Sequence, residues 1–404
     1  MSGEQENILV MILAGGKGER LYPLTRDRTK PAVPFGGIYR IIDFTLSNCV
    51  NAGLRKIYLL TQYKSLSLVR HIRLGWSTMF KPQIGEFIET LPAQQRVTID
   101  WYKGTADAVF QNIYSIQQER PELILILSGD HIYKMDYRKM IRFHTEKNAD
   151  VTVGTVKVPL RDMSRYGIIE LDKGKRIVGF KEKPSQKEYT TKEDFALASM
   201  GVYVFNTDVI VKEVIEDAKK ETSHDFGRDI IPRIISKKRA FGYVFAQEYW
   251  RDIGTIDAYW DASMDLVSRT PELNLHDSEW PIFTFRPQLP PAKIVLDGNS
   301  RNGKIVDSIV SLGCIIKGGY VENSILSYNV LIRSNAHVEE SILMSNVDVE
   351  RGCKIRRAII DKGVMLEDGT VIGYDKRQDR KNYFVSENGI VVIPKTRERG
   401  EKYA

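Results

Sequence analysis

The chain has 404 residues, 42% hydrophobic and 27% charged, with 59 basic and 52 acidic side chains and a formal net charge of +7. That length is long for one domain and comfortable for two. No apolar run approaches the roughly 20 residues of a membrane helix, the acidic start Met1–Asn7 has no signal-peptide pattern, and no Lys/Arg run interleaved with aromatics marks a nucleic-acid surface. The expectation is a cytoplasmic protein that binds neither membrane nor nucleic acid. Cys49, Cys314 and Cys353 are far apart and form no CxxC, which disfavours a disulfide framework or a zinc site. The basic excess suits a solvated surface or the attraction of small anions.

In chain order, Asn7–Ala14 reads as a buried strand that runs into glycines, Arg40–Ala52 as a helix, Lys56–Thr61 as a second buried strand and Lys64–Arg73 as a helix. Leu123–Ser128 (LILILS) is apolar on both faces and predicts a central strand. Strands follow at Asp150–Val158, Gly167–Asp172, Arg176–Glu182 and Ser199–Asn206, and helices at Thr207–Lys219 and Asp225–Ser236. Alternation of this kind predicts an α/β domain with a mainly parallel, doubly wound sheet over 1–270. Pro271, Pro281, Pro287, Pro290 and Pro291 mark 271–300 as a connector, which Trp280 and Phe283 suggest is packed down. From 301 to 404, branched or small residues recur about every six positions. They run Ile309, Ile315, Val321; then Val330, Ala336, Ile342; then Val347, Cys353, Ile359, Met365, Val371. This hexapeptide rhythm predicts a parallel β-helix, with a sandwich of short strands as the alternative.

Four segments could carry chemistry. Leu13-Ala14-Gly15-Gly16-Lys17-Gly18-Glu19-Arg20 follows a strand but lacks the P-loop Lys-Ser/Thr and the dinucleotide fingerprint spacing. Its glycines would let backbone N–H groups approach phosphate or a base, with Lys17, Arg20 and Lys30 adding positive charge; a tight turn is the plainer reading. Ser128-Gly129-Asp130-His131 ends the most apolar strand, where open α/β sheets bind ligands. Asp130 there, and Asp252 in Tyr249–Thr255, could hold Mg²⁺ through oxygen, or could each cap the following helix. In Phe180-Lys181-Glu182-Lys183-Pro184, Lys183 could reach a sugar phosphate. Cys49 reads as core, no GxSxG marks a serine hydrolase, and no His–carboxylate–nucleophile set accompanies His131 or His224.

Together LAGGKGERL, KPAVPFGG, RIIDFTLSNC, LTQY, LPAQQR, WYKGTADAV, LSGDHIYKMDY, EKP, ASMGVYVF, SHDFGRDIIP and YWRDIGTIDAYW resemble the bacterial glucose-1-phosphate adenylyltransferases over nearly the whole chain. GGxGxRL with KP marks the wider sugar-nucleotide transferases; WYKGTADAV, SHDFG and YWRDIGT point to this member. The resemblance implies a nucleotidyltransferase-like (Rossmann-like) domain followed by a left-handed β-helix. It implies the reaction ATP + glucose 1-phosphate → ADP-glucose + diphosphate, the committed step toward bacterial glycogen, with Mg²⁺ as cofactor and a homotetramer as the assembly. By motif it implies nucleotide contacts from Gly15, Gly16, Gly18, Gln94, Tyr102 and Gly104. Arg20, Lys30 and Asp130 would be catalytic, Asp130 and Asp252 would be the metal pair, and Tyr102, Gly167, Glu182, Lys183 and Ser199 would form the glucose 1-phosphate pocket.

The family is switched by anionic metabolites through basic residues, for which Arg28, Arg40 and Arg380, beside Lys381, are the candidates. Where enterobacterial members carry a lysine three residues before the KPAV lysine, this chain has Asp27, and where they carry a histidine it has Pro34. The expectation is weaker or different activation from that by fructose 1,6-bisphosphate. Three alternatives stay open: a sugar-1-phosphate transferase for another nucleotide, a noncatalytic regulatory subunit, and an acyltransferase using His337, whose plainer place is a coil turn.

Overall fold

The apolar runs become the centre of a sheet because each is buried on both faces. The computed structural model describes residues 7–16, 18–93, 101–185, 193–245, 249–296 and 303–395. Gln94, assigned to the nucleotide by resemblance, and Lys17 lie outside them. Two compact units divide the chain: Met1–Gly16 with Phe44–Trp250, and Lys17–Asp43 with Arg251–Ala404. These contacts divide the chain differently from the linear boundary at 270. Lys17–Asp43 groups with the C-terminal part through polar links: Lys30 to Asp252, Arg28 to Asp361, and the Tyr259 hydroxyl, which donates to the Pro34 carbonyl at 2.6 Å.

In the first unit the sheet strands are β1 (Ile8–Leu13), β2 (Lys56–Thr61), β3 (Phe87–Pro92), β4 (Leu123–Ser128), β5 (Val151–Pro159), β6 (Gly167–Leu171), β7 (Ile177–Glu182), β8 (Phe195–Asn206) and β9 (Ala240–Phe245). Their order is β7-β6-β8-β4-β1-β2-β3, with β5 beside β8 and β9 beside β5. Strands β4, β1, β2 and β3 pair in parallel. The twelve-residue β8 then runs antiparallel to β4, β5 and β6. The parallel core is the expected one, and β8 makes the sheet mixed. Leu125, Ile126 and Leu127 have no exposed surface, as a strand covered on both faces requires.

The helices form close to expectation, at Ile41–Asn51, Leu66–Gly75 and Thr207–Ala218. The expected helix Asp225–Ser236 is broken into a wide turn, Phe226–Ile230, and a short helix, Ile231–Ile234. Pro232 lies at the start of that second piece, where its missing N–H is tolerated. Cys49 is fully buried, as core.

In the second unit, three sheets of parallel strands form the sides of a β-helix, the third ending in an antiparallel pair, Phe384–Val385 with Val391–Ile393. Ile316 pairs with Ile332, Ile332 with Val349 and Val349 with Leu366, steps of 16, 17 and 17 residues. A coil of 17 spends one residue fewer than three hexapeptides, so a strict count of six drifts. That drift corrects three expected inward positions. Ile315, Met365 and Val371 face outward, 43%, 71% and 52% exposed, and their neighbours Ile316, Leu366 and Ile372 fill the core, because adjacent strand residues point to opposite faces. Val321, Val330, Ala336, Ile342, Val347, Cys353 and Ile359 are buried as expected. Asn323, Asn329, Asn335, Asn346, Gly352, Gly363 and Gly369 turn corners with positive φ, which these two residue types reach with least penalty. His337 lies in the strand His337–Glu339 rather than a turn, its ring 4.7 Å from that of Tyr320.

Candidate active site

In the first unit, strand register builds the site edge. Leu13 pairs with Ser128, the Gly129 N–H donates to the Leu13 carbonyl at 3.1 Å, and the Ala14 N–H donates to that of Leu60 at 3.0 Å. Ala14-Gly15-Gly16 and Gly129-Asp130 therefore leave the sheet side by side at its carboxyl edge, where α/β sheets bind ligands. A Cβ on Gly15 would lie 3.1 Å from Gln62 Cβ, so a side chain there would have to push the next strand's end aside by a few tenths of an ångström. Gln62 Nε2 donates to the Tyr102 carbonyl at 3.2 Å. The buried Tyr102 ring is fixed by Asn112, whose Nδ2 donates to its hydroxyl at 3.0 Å. Burial pushes the Tyr102 phenol above its ordinary range. A Cβ on Gly104 would stand 2.3 Å from the carbonyl oxygens of both Ser223 and His224, a clash with backbone that excludes every other residue.

Asp130 caps no helix. It precedes the strand His131–Tyr133, and the next helix, Tyr137–Glu146, is capped by Asp136, which accepts from the Arg138 N–H at 3.0 Å. The Ser128 hydroxyl donates to Asp130 Oδ1, and His131 Nε2 lies 3.5 Å from it. A register shift in Phe195–Asn206 between Ser199 and Tyr203 faces this point; such bulges re-aim side chains next to active sites. Gly201 has φ +67, and a Cβ there would be 3.2 Å from Ser128 Cβ. The Ser199 hydroxyl oxygen is 3.4 Å from that of Tyr203.

Of the expected sugar-phosphate residues, Gly167 and Lys183 lie against Glu182. A Cβ on Gly167 and one on Gly227 would each lie 2.8 Å from Glu182 Oε2, so two glycines make room for this carboxylate. Burial raises the Glu182 pKa, Lys183 opposes that, and Asp225 adds to it. Lys183 has φ +50, its N–H donates to the Tyr166 carbonyl at 2.9 Å, and its half-exposed ammonium is 3.6 Å from Glu182 Oε1. Two residues passed over in the sequence reading belong to this cluster. Trp250 packs edge-on to Tyr166 and His131, with centroids 5.5 and 5.0 Å away, and its buried indole N–H has no partner among the described residues. Asp225 accepts from the Thr105 hydroxyl at 3.0 Å. Their signals were the strings YWRD and SHDFG.

In the second unit, Gly18 takes φ +63 before the turn Glu19–Leu21. A Cβ on it would come within 3.1 Å of Thr25 and 3.2 Å of Lys30. The buried Lys30 ammonium donates to Asp252 Oδ1 at 3.1 Å. A Cβ on Gly254 would be 3.1 Å from both Arg20 Nη2 and Asp252 Oδ1, so Arg20, Lys30 and Asp252 gather around this glycine. Asp252 caps no helix either: the helix Ile256–Val267 is capped by Thr255, which accepts from the Ala258 N–H at 3.2 Å.

The expected anion residues separate. Arg28 is buried, and its Nη2 donates to both oxygens of Asp361 at 2.7 and 2.6 Å. Its charge is therefore already matched by a carboxylate. Arg380 stands exposed on the helix Lys376–Asn382. Lys362, which the sequence reading missed, joins Arg28 and Arg40. Its ammonium is pushed down to about 7, first by burial and then by the charges of Arg40 and Arg28; Asp361 opposes this, and Lys395 adds to it. A depressed lysine among cations marks a place short of negative charge. No periodic or compositional signal singles out one lysine in a coil.

Residues 9–269 match the nucleotidyl transferase family, and 290–393 match a GlmU-like C-terminal hexapeptide family, whose coils are those of a left-handed β-helix. The chain is 52% identical to the glucose-1-phosphate adenylyltransferase of Koribacter versatilis, over 95% of this chain and 94% of that protein. It is 50% identical to glucose-1-phosphate adenylyltransferase 2 of Alkalilimnicola ehrlichii, over 96% and 93%. It is 51% identical to the enzyme of that name in Methylococcus capsulatus, over 95% and 92%. The chain belongs to the glucose-1-phosphate adenylyltransferase family.

A nucleotidyl transferase generally works with a divalent metal. Among the described residues, no group of three or more His, Cys, Asp or Glu is gathered. Mg²⁺ beside substrate phosphates takes one or two carboxylates and keeps its waters. Asp130 and Asp252 each carry hard oxygen donors of the kind that ion takes.

The Arg28–Asp361 pair yields a stability prediction. Arg28→Ala leaves a buried carboxylate uncompensated and should lower unfolding stability by about 3–5 kcal/mol, read as a fall in the denaturant midpoint. A change below about 1 kcal/mol, the size of an exposed pair, would contradict this reading.

Proposed function

We propose that this chain is a glucose-1-phosphate adenylyltransferase that joins the adenylyl group of ATP to glucose 1-phosphate. The observation that carries the reading is the parallel register Leu13 to Ser128, which sets Gly15, Gly16 and Asp130 on one sheet edge in a chain about half identical to relatives named for this reaction. A phosphate oxygen of glucose 1-phosphate attacks the α-phosphorus of ATP. The new P–O bond forms as the bond to the bridging oxygen of the β-phosphate breaks, and diphosphate leaves with that electron pair. No protein nucleophile is required, because such transfer depends on alignment and charge stabilisation.

Gly15, Gly16, Gly18, Tyr102 and Gly104 bind the nucleotide in this reading. Arg20 and Lys30 offset charge on the leaving diphosphate, the latter steered by Asp252. Gly167, Glu182, Lys183 and Ser199 hold the sugar phosphate, with Lys183 as its counter-charge. Asp130 and Asp252 would hold Mg²⁺, which when bound neutralises charge on the reacting phosphates. We assign the β-helix to regulation and to assembly as a homotetramer, and place the enzyme in the cytoplasm.

Diphosphate release from glucose 1-phosphate with ATP, UTP, dTTP or GTP tests the reading. ATP should be used and the others spared; preference for another nucleotide would sink it. In the same assay Asp130→Asn should lower kcat by about 10²–10³, or ~3–4 kcal/mol of transition-state stabilisation. Near wild-type turnover with an unchanged Mg²⁺ requirement would reject the metal assignment.

The depressed lysine extends the reading to regulation. We assign an anionic effector to Arg40 and Lys362, with Arg28 supporting from its ion pair and Arg380 standing further along the chain. Free Lys362 is charged below pH 7 and neutral above it, so an anion that binds its ammonium must bring a proton in with it between about pH 7 and 10.5. Sulfate, whose charge is constant in this range, should bind with proton uptake at pH 8 in calorimetry across buffers of different ionisation heat. Lys362→Met should abolish the uptake. Sulfate binding at pH 8 without proton uptake in the unsubstituted protein would refute the assignment.

A further inference from the structure

His224 lies beside the nucleotide segment but has no part in the chemistry above. Its backbone takes the left-handed conformation, φ +52, which a side chain bearing a Cβ adopts only when its surroundings hold it there. The hold is visible. Ring Nδ1 is 2.8 Å from Asp217 Oδ2 and 3.1 Å from the Thr222 hydroxyl. The His224 N–H donates to that same hydroxyl at 3.2 Å. Asp217 is buried and is itself gripped by Arg233 Nη1 at 3.3 Å. One residue back, the Ser223 hydroxyl donates to Asp229 at 2.5 Å.

The strained carbonyl this produces has a defined target. His224 O accepts from the Ala106 N–H at 2.7 Å and the Asp107 N–H at 3.4 Å, the first turn of the helix Thr105–Phe110. The same carbonyl, with that of Ser223, fills the space where a Cβ of Gly104 would be. The next residue, Asp225, takes the Thr105 hydroxyl, and that hydroxyl accepts from the Phe226 N–H at 2.9 Å. On its other side the segment is tied through the Tyr102 carbonyl to Gln62, against which Gly15 packs.

We propose that His224 is a positioning residue for the nucleotide: Asp217 holds its ring, the ring fixes the left-handed backbone, and the carbonyl so aimed sets the Tyr102–Gly104 segment. The proposal rests on the reading that Tyr102 and Gly104 hold the nucleotide. His224 need not touch ATP, and its effect is on binding geometry rather than on the reacting atoms.

The bond to Asp217 uses Nδ1, which separates two isosteres. An asparagine amide nitrogen falls near Nδ1 and tolerates the left-handed backbone, whereas a glutamine amide falls near Nε2. His224→Gln and His224→Ala should each raise KM for ATP about tenfold, with kcat and KM for glucose 1-phosphate within about threefold, the pattern of lost ground-state binding. His224→Asn should restore KM for ATP to within about threefold. Folding is followed for each by thermal melting. Variants that melt lower but keep the wild-type KM for ATP would overturn the proposal, as would equal KM values for the Asn and Gln variants. Tyr102→Ala separates the underlying reading. A raised KM for ATP there with an unchanged value in His224→Gln rejects the positioning role, and an unchanged KM in Tyr102→Ala rejects the nucleotide reading itself.

Discussion

The first unit depends on the parallel register of Ile8–Leu13 against Leu123–Ser128. With Leu13 opposite Ser128, the glycine segment and Asp130 leave the sheet at one edge and at one level. A shift of one residue would turn every side chain of Ile8–Leu13 to the other face. Because both faces are buried, apolarity alone would tolerate that shift. The register carries on past the end of the strands, where the Gly129 N–H reaches the Leu13 carbonyl and the Ala14 N–H that of Leu60. Backbone bonds of its own strands thus anchor the site edge, and Gly15 leaves room for the Gln62 side chain beside it.

Charge is organised separately in the second unit. Lys30 is buried against Asp252, and Arg28 against Asp361. These pairs differ in their bonding pattern. Arg28 spends one nitrogen on both oxygens of its partner, whereas Asp252 meets Lys30 through one oxygen. Lys362 shows the converse state, a cation whose charge is suppressed by burial and by other cations.

Much of this was legible in the sequence. LILILS announced a central strand because a strand covered on both faces has no polar side to show. The strings around Gly15, Asp130 and Asp252 marked the segments to which we assign the chemistry, and the structure removed the helix-cap alternative for both aspartates by placing the caps at Asp136 and Thr255. The failures have physical causes. Coils of 16 or 17 residues defeat a count of six, so Ile315, Met365 and Val371 were placed inward. The helix expected at Asp225–Ser236 starts at its Asp225 cap but changes from the wide turn Phe226–Ile230 to the short helix Ile231–Ile234, where Pro232 has no N–H to continue the bonding of the first piece. The ion pair of Arg28 was out of reach of the sequence because its partner, Asp361, is more than three hundred residues away. Long-range pairing of that kind leaves no mark in local spacing. Lys362 went unread for the same reason, since Arg28 and Arg40 reach it through the fold; His224 was weighed only as an acid or base, and its hold on Asp217 was not seen.

The central claim is that the chain aligns two substrates and stabilises charge, with no covalent intermediate on the protein. Stereochemistry at the α-phosphorus tests this most directly. With ATP made chiral at that phosphorus by sulfur substitution, a single in-line displacement by glucose 1-phosphate must invert the configuration in the ADP-glucose analogue formed. Inversion is the predicted result. Retention would require two successive displacements through an adenylylated side chain, and would contradict the account.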